Sequence, residues 1–166
     1  MTIKIRKTRI SDAKAIHKLI NNKNVIKELS GYPFPCPLSK IKKDISKGLD
    51  DWKKKKAYTF TILADKKIVG QVFLENPSKD NGRYEVGYFI GKQFWNKGIA
   101  TKSVKEVVKF GFKELGLYKI WGDNDSDNRA SGKVMKNTGF KLEGRLKKHC
   151  KKEGKFIDVL IWGKLK

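Results

Sequence analysis

At 166 residues the chain is long enough for a real hydrophobic core and is expected to form one domain over residues 1–166. Apolar residues make up 39% and charged residues 34%, and no run approaches the about 18 apolar residues of a spanning helix; this excludes a membrane-spanning segment and points to a soluble, cytoplasmic protein. The formal net charge of +22 suggests an anionic partner, yet the 39 basic residues are 34 Lys and five Arg.

Arginine is the side chain that grips phosphates and base edges in bidentate fashion. Lysine here is spread over every element, so a general lysine bias explains the charge as well as a binding patch does. Weak, salt-dependent association with ribosomes or RNA remains an expectation, not the main function. Cys36 and Cys150 lie far apart with no metal-ligand spacing and read as free thiols of a reducing compartment.

Residues 1–10 alternate apolar and basic and lack a signal-peptide core, so Ile3–Arg9 reads as a strand. Ser11 and Asp12 are expected to cap a helix over Ala13–Asn22, with Ala13, Ile16, Leu19 and Ile20 on its apolar face. His17 sits beside that stripe as a boundary residue. A second helical piece, Val25–Leu29, leads to the loop Gly31–Pro37, whose prolines forbid helix or central strand. Ser39 is expected to cap a helix from Lys40 to Lys53 with the stripe Ile41, Ile45, Leu49 and Trp52. Tyr58–Ala64 and Lys67–Glu75 form a hairpin around Asp65–Lys66, and Asn76–Gly82 is a polar loop.

Tyr84–Ile90 is the next strand. It runs into a turn over Gly91–Lys97 and then a helix, with Ala100, Val104, Val107, Val108, Gly111 and Leu115 at helical spacing. Strand, Gly-containing turn and helix start form a phosphate-binding arrangement, because the first helical N–H groups lack internal partners and the macrodipole adds positive potential. Gly98 allows close backbone approach and Lys97 adds charge, so the stretch reads as the diphosphate cradle of a cofactor. Neither GxxxxGK[ST] nor GxGxxG is present. Gly116 ends the helix, Tyr118–Gly122 is a strand, and Asp127 or Ser126 is expected to cap a helix ending near Gly139. The last two strands, Lys141–Cys150 and Lys155–Lys164, meet at a Lys152–Glu153–Gly154 turn.

The segment Trp95–Ala100, WNKGIA, resembles the (Q/R)-x-x-G-x-(G/A) acetyl-CoA signature of the GNAT acetyltransferases, with Trp95 where many members carry Gln or Arg. The variant is similar to the RimJ/RimL-like branch, which acetylates N-terminal amines of ribosomal proteins. Asn124–Ser131, Lys136–Phe140 and Glu143–Gly144 add matches at the right distances, so the resemblance covers nearly the whole chain. It implies an α+β fold with a central mixed, mostly antiparallel sheet of about seven strands flanked by helices, the fourth and fifth splayed apart. It implies acetyl-CoA as cosubstrate and no metal. The pantetheine arm would pair with the backbone of Tyr88, Phe89 and Ile90, and the diphosphate with that of Trp95, Asn96, Lys97, Gly98, Ile99 and Ala100, together with Thr101. The loop carrying Tyr32 and Phe34 would wall the acceptor groove.

Acetyl transfer to an amine needs a held cofactor, a deprotonated amine and a stabilised leaving thiolate. Glu85 is the candidate base, on the cradle strand and two residues before Gly87, whose missing side chain would leave space. Apolar neighbours would raise its pKa; a water chain is the alternative. Asn124, Asn128 and Ser131 are placed to reach pantetheine amides or the thiol. The tyrosine that many family members carry four residues before the GF pair is replaced by Met135, so Ser131 is the candidate acid. Asp158 would face the acceptor amine. The expected acceptor is the N-terminal α-amine of a protein or peptide. Polyamines or aminoglycosides are the alternative, disfavoured because few clustered acids are visible in so basic a chain. A non-catalytic RNA- or ribosome-binding module on the same fold is the second alternative. Monomer and homodimer both stay open.

Overall fold

The computed structural model describes all 166 residues, the side chain of Lys79 excepted. Strands β1 (Ile3–Lys7), β2 (Tyr58–Ala64), β3 (Lys67–Ser78), β4 (Arg83–Ile90), β5 (Lys119–Asp125), β6 (Lys141–Lys152) and β7 (Lys155–Leu165) form one sheet in the order β1-β2-β3-β4-β5-β7-β6. Every neighbouring pair is antiparallel except β4 and β5. The helices are α1 (Ala13–Ile20), α2 (Lys23–Ile26), α3 (Leu38–Lys53), α4 (Ile99–Lys113) and α5 (Arg129–Asn137). No helix among the described residues is long and apolar enough to cross a membrane. The α+β architecture expected from the sequence is what forms, with seven strands.

Strand alternation decides which side chain goes to which layer. Val72, Leu74, Tyr84 and Val86 point to one face of the sheet and pack with Val104, Val107 and Val108 of α4. Phe89 points to the other face and joins Ile16 and Leu19 of α1 and Ile41 and Ile45 of α3. The parallel neighbour of β4 needs a crossover, which α4 supplies. That pairing is short: Arg83 with Lys119, Tyr84 with Ile120, Glu85 with Trp121, and no further. Beyond it β4 stays with β3 up to Ile90, and β5 stays with β7 up to Asp125. Met135 of α5 packs under the fork: a Cβ on Gly122 would meet its methyl at 2.8 Å and the Val86 carbonyl oxygen at 3.0 Å.

Several boundaries differ from the sequence expectations. β1 ends at Lys7, and the second helical piece is Lys23–Ile26. β3 continues through Asn76 and Pro77 to Ser78, with an irregular register after Glu75 and Asn76 at φ +49°. β5 reaches Asp125 rather than Gly122, because β7 offers partners along its whole length. Ser39 caps nothing: α3 starts at Leu38, two residues earlier than expected, after Pro37 in an extended conformation. Asn128, not Asp127 or Ser126, caps α5 by accepting from Ser131 N. The β6–β7 turn holds both Glu153 and Gly154 at positive φ, as a two-residue hairpin turn of primed type requires.

One buried ion pair ties the start of α1 to the sheet edge. Asp12, in the turn before α1, accepts from both Nη atoms of Arg6 on β1 at 2.7 and 2.8 Å, from Arg9 N at 2.9 Å and from Thr61 Oγ1 of β2 at 2.8 Å. Its side chain is only 4% exposed. Burial pushes its pKa up, but the Arg6, Arg9 and Thr61 hydrogen bonds outweigh this and hold the carboxyl below its ordinary value. A lowered carboxyl contributes stability above its unfolded pKa and loses it as pH falls through the folded value. Asp12→Ala is therefore expected to cost about 3 kcal/mol at neutral pH in denaturant unfolding. The gap to wild type should close as the pH drops below the lowered Asp12 pKa; a pH-independent gap would show that the charge is not what matters.

Candidate active site

The fork opens into a groove of about 1800 Å³ that passes through the sheet. Its walls come from α1–α3 and β3 on one side and the starts of α4 and α5 on the other. The two sides carry different chemistry.

The cofactor-like side begins with the turn after β4. A 3₁₀ turn, Lys92–Phe94, leads through Asn96 (φ +61°) to Gly98 (φ +70°), the residue before α4. A Cβ built on Gly98 meets nothing within 4 Å, so its backbone borders open space. Gly98 carbonyl oxygen accepts from Lys102 N at 3.1 Å, and the N–H groups of Ile99, Ala100 and Thr101 have no acceptor inside the helix. Lys97 and Thr101 also border the groove. Trp95 lies 41% exposed, and its indole N–H donates to the Ile90 carbonyl at 2.7 Å. That carbonyl already has a donor, and the Phe89 carbonyl faces β3, where a Cβ on Gly70 would meet it at 2.1 Å; Tyr88 is left as the freer part of the β4 edge.

Across the fork stands α5. The Tyr88 hydroxyl and Ser131 Oγ are 2.8 Å apart. Asn128 Oδ1 accepts from Ser131 N at 3.0 Å, while its Nδ2 donates to Glu28 Oε2 at 2.9 Å. Burial pushes the Tyr88 hydroxyl up to about 12, with the Ser131 hydrogen bond pulling the other way. Asn124 is buried and engaged internally: its Oδ1 accepts from Trp162 Nε1 at 2.7 Å, and its Nδ2 serves the Asp125 and Asn128 carbonyls at 2.7 and 3.3 Å. Asn124 and Asn128 thus shape the turn into α5. The sequence reading took only the backbone of Tyr88; strand alternation, which puts Tyr88 on the face of Val86, was the available signal for its hydroxyl.

The other side is acidic. Glu75 and Glu85 are direct cross-strand partners on β3 and β4, and Asp123 lines the same groove from β5. Burial raises the Glu85 pKa, an Asn76 hydrogen bond at 2.7 Å opposes this, and the charge of Asp123 adds to the rise. Burial raises Glu75 as well, with Glu85 as the next cause. Other acids on this wall have cations: Asp44 pairs with Lys40 at 3.1 Å, Asp51 with Lys47, and Glu28 with Lys152 at 2.8 Å. Among the described residues Glu75, Glu85 and Asp123 have no ion-pair partner within 4 Å. The sequence expectation of few clustered acids is therefore wrong, because the fold gathers scattered acids into one groove. The space expected at Gly87 is also absent: a Cβ there would lie 2.2 Å from the Phe73 ring, which fills it.

Of the expected acceptor residues, Tyr32 borders the groove, with Lys40 Nζ 4.5 Å above its ring. Phe34 is 48% exposed and lies outside the groove lining. Asp158 also lies outside it, accepting from Lys148 N at 2.8 Å and from Arg145 Nε. Those two donors hold its pKa below the usual value, so it forms a local β6–β7 clasp rather than an acceptor contact.

Comparison with known proteins agrees with this geometry. Residues 2–141 match the acetyltransferase (GNAT) domain family. An uncharacterized N-acetyltransferase p20 of Bacillus licheniformis is 28% identical over 164 residues, covering 98% of this chain and 92% of that protein. The spermidine N(1)-acetyltransferase of Escherichia coli K12 is 26% identical over 145 residues, covering 87% and 76%. The solved structure of RimL, a ribosomal L7/L12 alpha-N-protein acetyltransferase in complex with coenzyme A, superposes with a TM-score of 0.92 at 20% identity over 99% of this chain and 94% of that one. With a family match over most of its length, the chain belongs to the GNAT acetyltransferase family.

Proposed function

We propose that this chain moves the acetyl group of acetyl-CoA to the primary amine of a molecule carrying more than one positive charge. The observation that carries the reading is the trio Glu75, Glu85 and Asp123, at the open fork and without ion-pair partners among the described residues, in a chain of net charge +22. Burial is the main cause of the raised pKa values of Glu75 and Glu85, and a neighbouring carboxylate adds to each, Glu85 for Glu75 and Asp123 for Glu85. A polycation entering the groove relieves that repulsion.

The family uses acetyl-CoA, and the residues present fit it. Gly98 faces open space at the helix start, where N–H groups of Ile99, Ala100 and Thr101 and the Lys97 charge favour a diphosphate. The β4 edge at Tyr88 has no β5 partner and offers backbone groups to an amide-bearing arm. The cofactor brings the acetyl thioester; the chain orients it and handles the amine. Glu85 takes the ammonium proton, its burial bringing its basicity nearer to the task.

Two acceptors fit a multiply charged amine: a linear polyamine, or a protein or peptide N-terminus followed by basic residues. The trio favours the polyamine, whose charges recur along a thin chain, whereas a peptide α-amine is singly charged unless Lys or Arg follows. The likeness to a spermidine acetyltransferase supports the same side, and the motif resemblance to the RimJ/RimL-like branch supports the peptide.

Steady-state kinetics should compare spermidine with two free-amine peptides, one neutral after its first residue and one lysine-rich. Spermidine is expected to exceed the neutral peptide in kcat/KM by more than about tenfold, or about 1.4 kcal/mol of transition-state binding. A neutral peptide that serves equally well would sink the polycation reading. Glu85→Gln should lower kcat and abolish the fall in activity that wild type shows as pH drops through the raised Glu85 pKa, with cofactor affinity unchanged. Gly98→Val should weaken acetyl-CoA binding more than about tenfold in calorimetry at moderate salt. A β-branched residue is strained at φ +70° and its side chain enters the cradle; unaltered affinity would place the diphosphate elsewhere.

A further inference from the structure

We infer that Tyr88 is a positioning residue for thiolate departure: its hydroxyl donates to Ser131 Oγ and leaves the Ser131 O–H directed into the groove, toward the leaving sulfur. The inference rests on the acetyl-transfer reading above. The Tyr88 oxygen lies 2.8 Å from Ser131 Oγ but 3.4 Å from the Ser131 carbonyl, which makes Oγ the better acceptor. Ser131 is fixed from its other end by Asn128, whose Oδ1 accepts its N–H at 3.0 Å. Its hydroxyl thus receives one donor and keeps its own proton to give. Both hydroxyls belong to residues that border the fork.

The bookkeeping of the step shows what the pair does. Glu85 has already taken the ammonium proton; the free amine nitrogen then forms the new C–N bond, the C–S bond breaks with its electron pair going to sulfur, the second nitrogen proton passes to water in the open groove, and the cofactor departs as a thiolate. A thiolate whose thiol has an ordinary pKa of about 8.5 does not take a proton from a phenol pushed up to about 12, and still less from a serine hydroxyl. Both hydroxyls therefore keep their protons. The pair acts as a chain of two hydrogen bonds ending on the developing thiolate, each polarising the next. Ser131, read from the sequence as an acid, becomes a hydrogen-bond donor whose direction Tyr88 sets.

The test uses full-length wild type, Tyr88→Phe, Ser131→Ala and the double variant. It measures kcat and KM, and titrates the thiol of enzyme-bound CoA by thiolate ultraviolet absorbance. Tyr88→Phe should lower kcat about tenfold with both KM values unchanged, and raise the bound thiol pKa by about one pH unit. Ser131→Ala should lose at least as much, and the double variant no more than Ser131→Ala, since Tyr88 acts through Ser131. Equal binding of desulfo-CoA to wild type and Tyr88→Phe would show the groove intact. A Tyr88→Phe enzyme with wild-type kcat and wild-type thiol titration overturns the inference, as do losses that multiply in the double variant. Wild type that neither binds CoA nor acetylates an amine overturns the acetyl-transfer reading and this inference with it.

Discussion

The structure depends on a pairing that stops early. Three residue pairs join β4 to β5, ending at Glu85 and Trp121, and the two halves of the sheet then part. An unpaired strand edge inside a sheet is costly, since each buried N–H and C=O needs a partner. The surroundings keep the fork open: β3 holds β4, β7 holds β5, and Met135 sits beneath the divergence. What the fold leaves unpaired at Tyr88 is what an extended, amide-bearing ligand arm can satisfy. The binding site is thus a consequence of incomplete sheet formation rather than an addition to a finished sheet.

Charge is distributed against the overall balance. The chain carries +22, yet among the described residues Glu75, Glu85 and Asp123 have no neutralising partner. Many lysines stand elsewhere, and several neutralise neighbouring acids: Lys40 for Asp44, Lys47 for Asp51, Lys152 for Glu28 and Asp125. The pairing that reaches those acids omits the trio at the fork. Long-range attraction from so basic a surface favours the anionic cofactor. The cationic acceptor proposed above would instead be recognised at short range, by the carboxylates themselves, where screening by salt is weak.

Local features were legible in the sequence and assembled ones were not. The cradle is contiguous, so strand, turn, Gly98 and helix could be read along the chain. The hairpin β2–β3 and the long amphipathic α4 were legible for the same reason. The acidic trio comes from β3, β4 and β5, and its existence depends on the Glu75–Glu85 register and on β5 lying beside β4. Neither is local. Asn124 was taken for a cofactor contact because its partner Trp162 lies on β7, a neighbour that spacing does not reveal. Asp158 was misplaced likewise, its partners Arg145 and Lys148 lying across the β6–β7 hairpin. Gly87 reads as space in one dimension, and Phe73 occupies that space in three.

The fork also separates two demands that conflict. The amine must lose a proton, which calls for a carboxylate, while the departing sulfur gains negative charge, which a nearby carboxylate would oppose. Strand alternation resolves this. Phe89 packs against α1 and α3, and Glu85 shares its parity; Tyr88 and Val86 alternate with them toward the α4 and α5 layer. Carboxylates therefore gather on one face, and neutral hydroxyl donors, Tyr88 and Ser131, stand on the other. A base and a thiolate-stabilising donor on the same face would each weaken the other. With the sheet between them, a single run of strand, from Glu85 to Tyr88, would serve both ends of the proposed reaction.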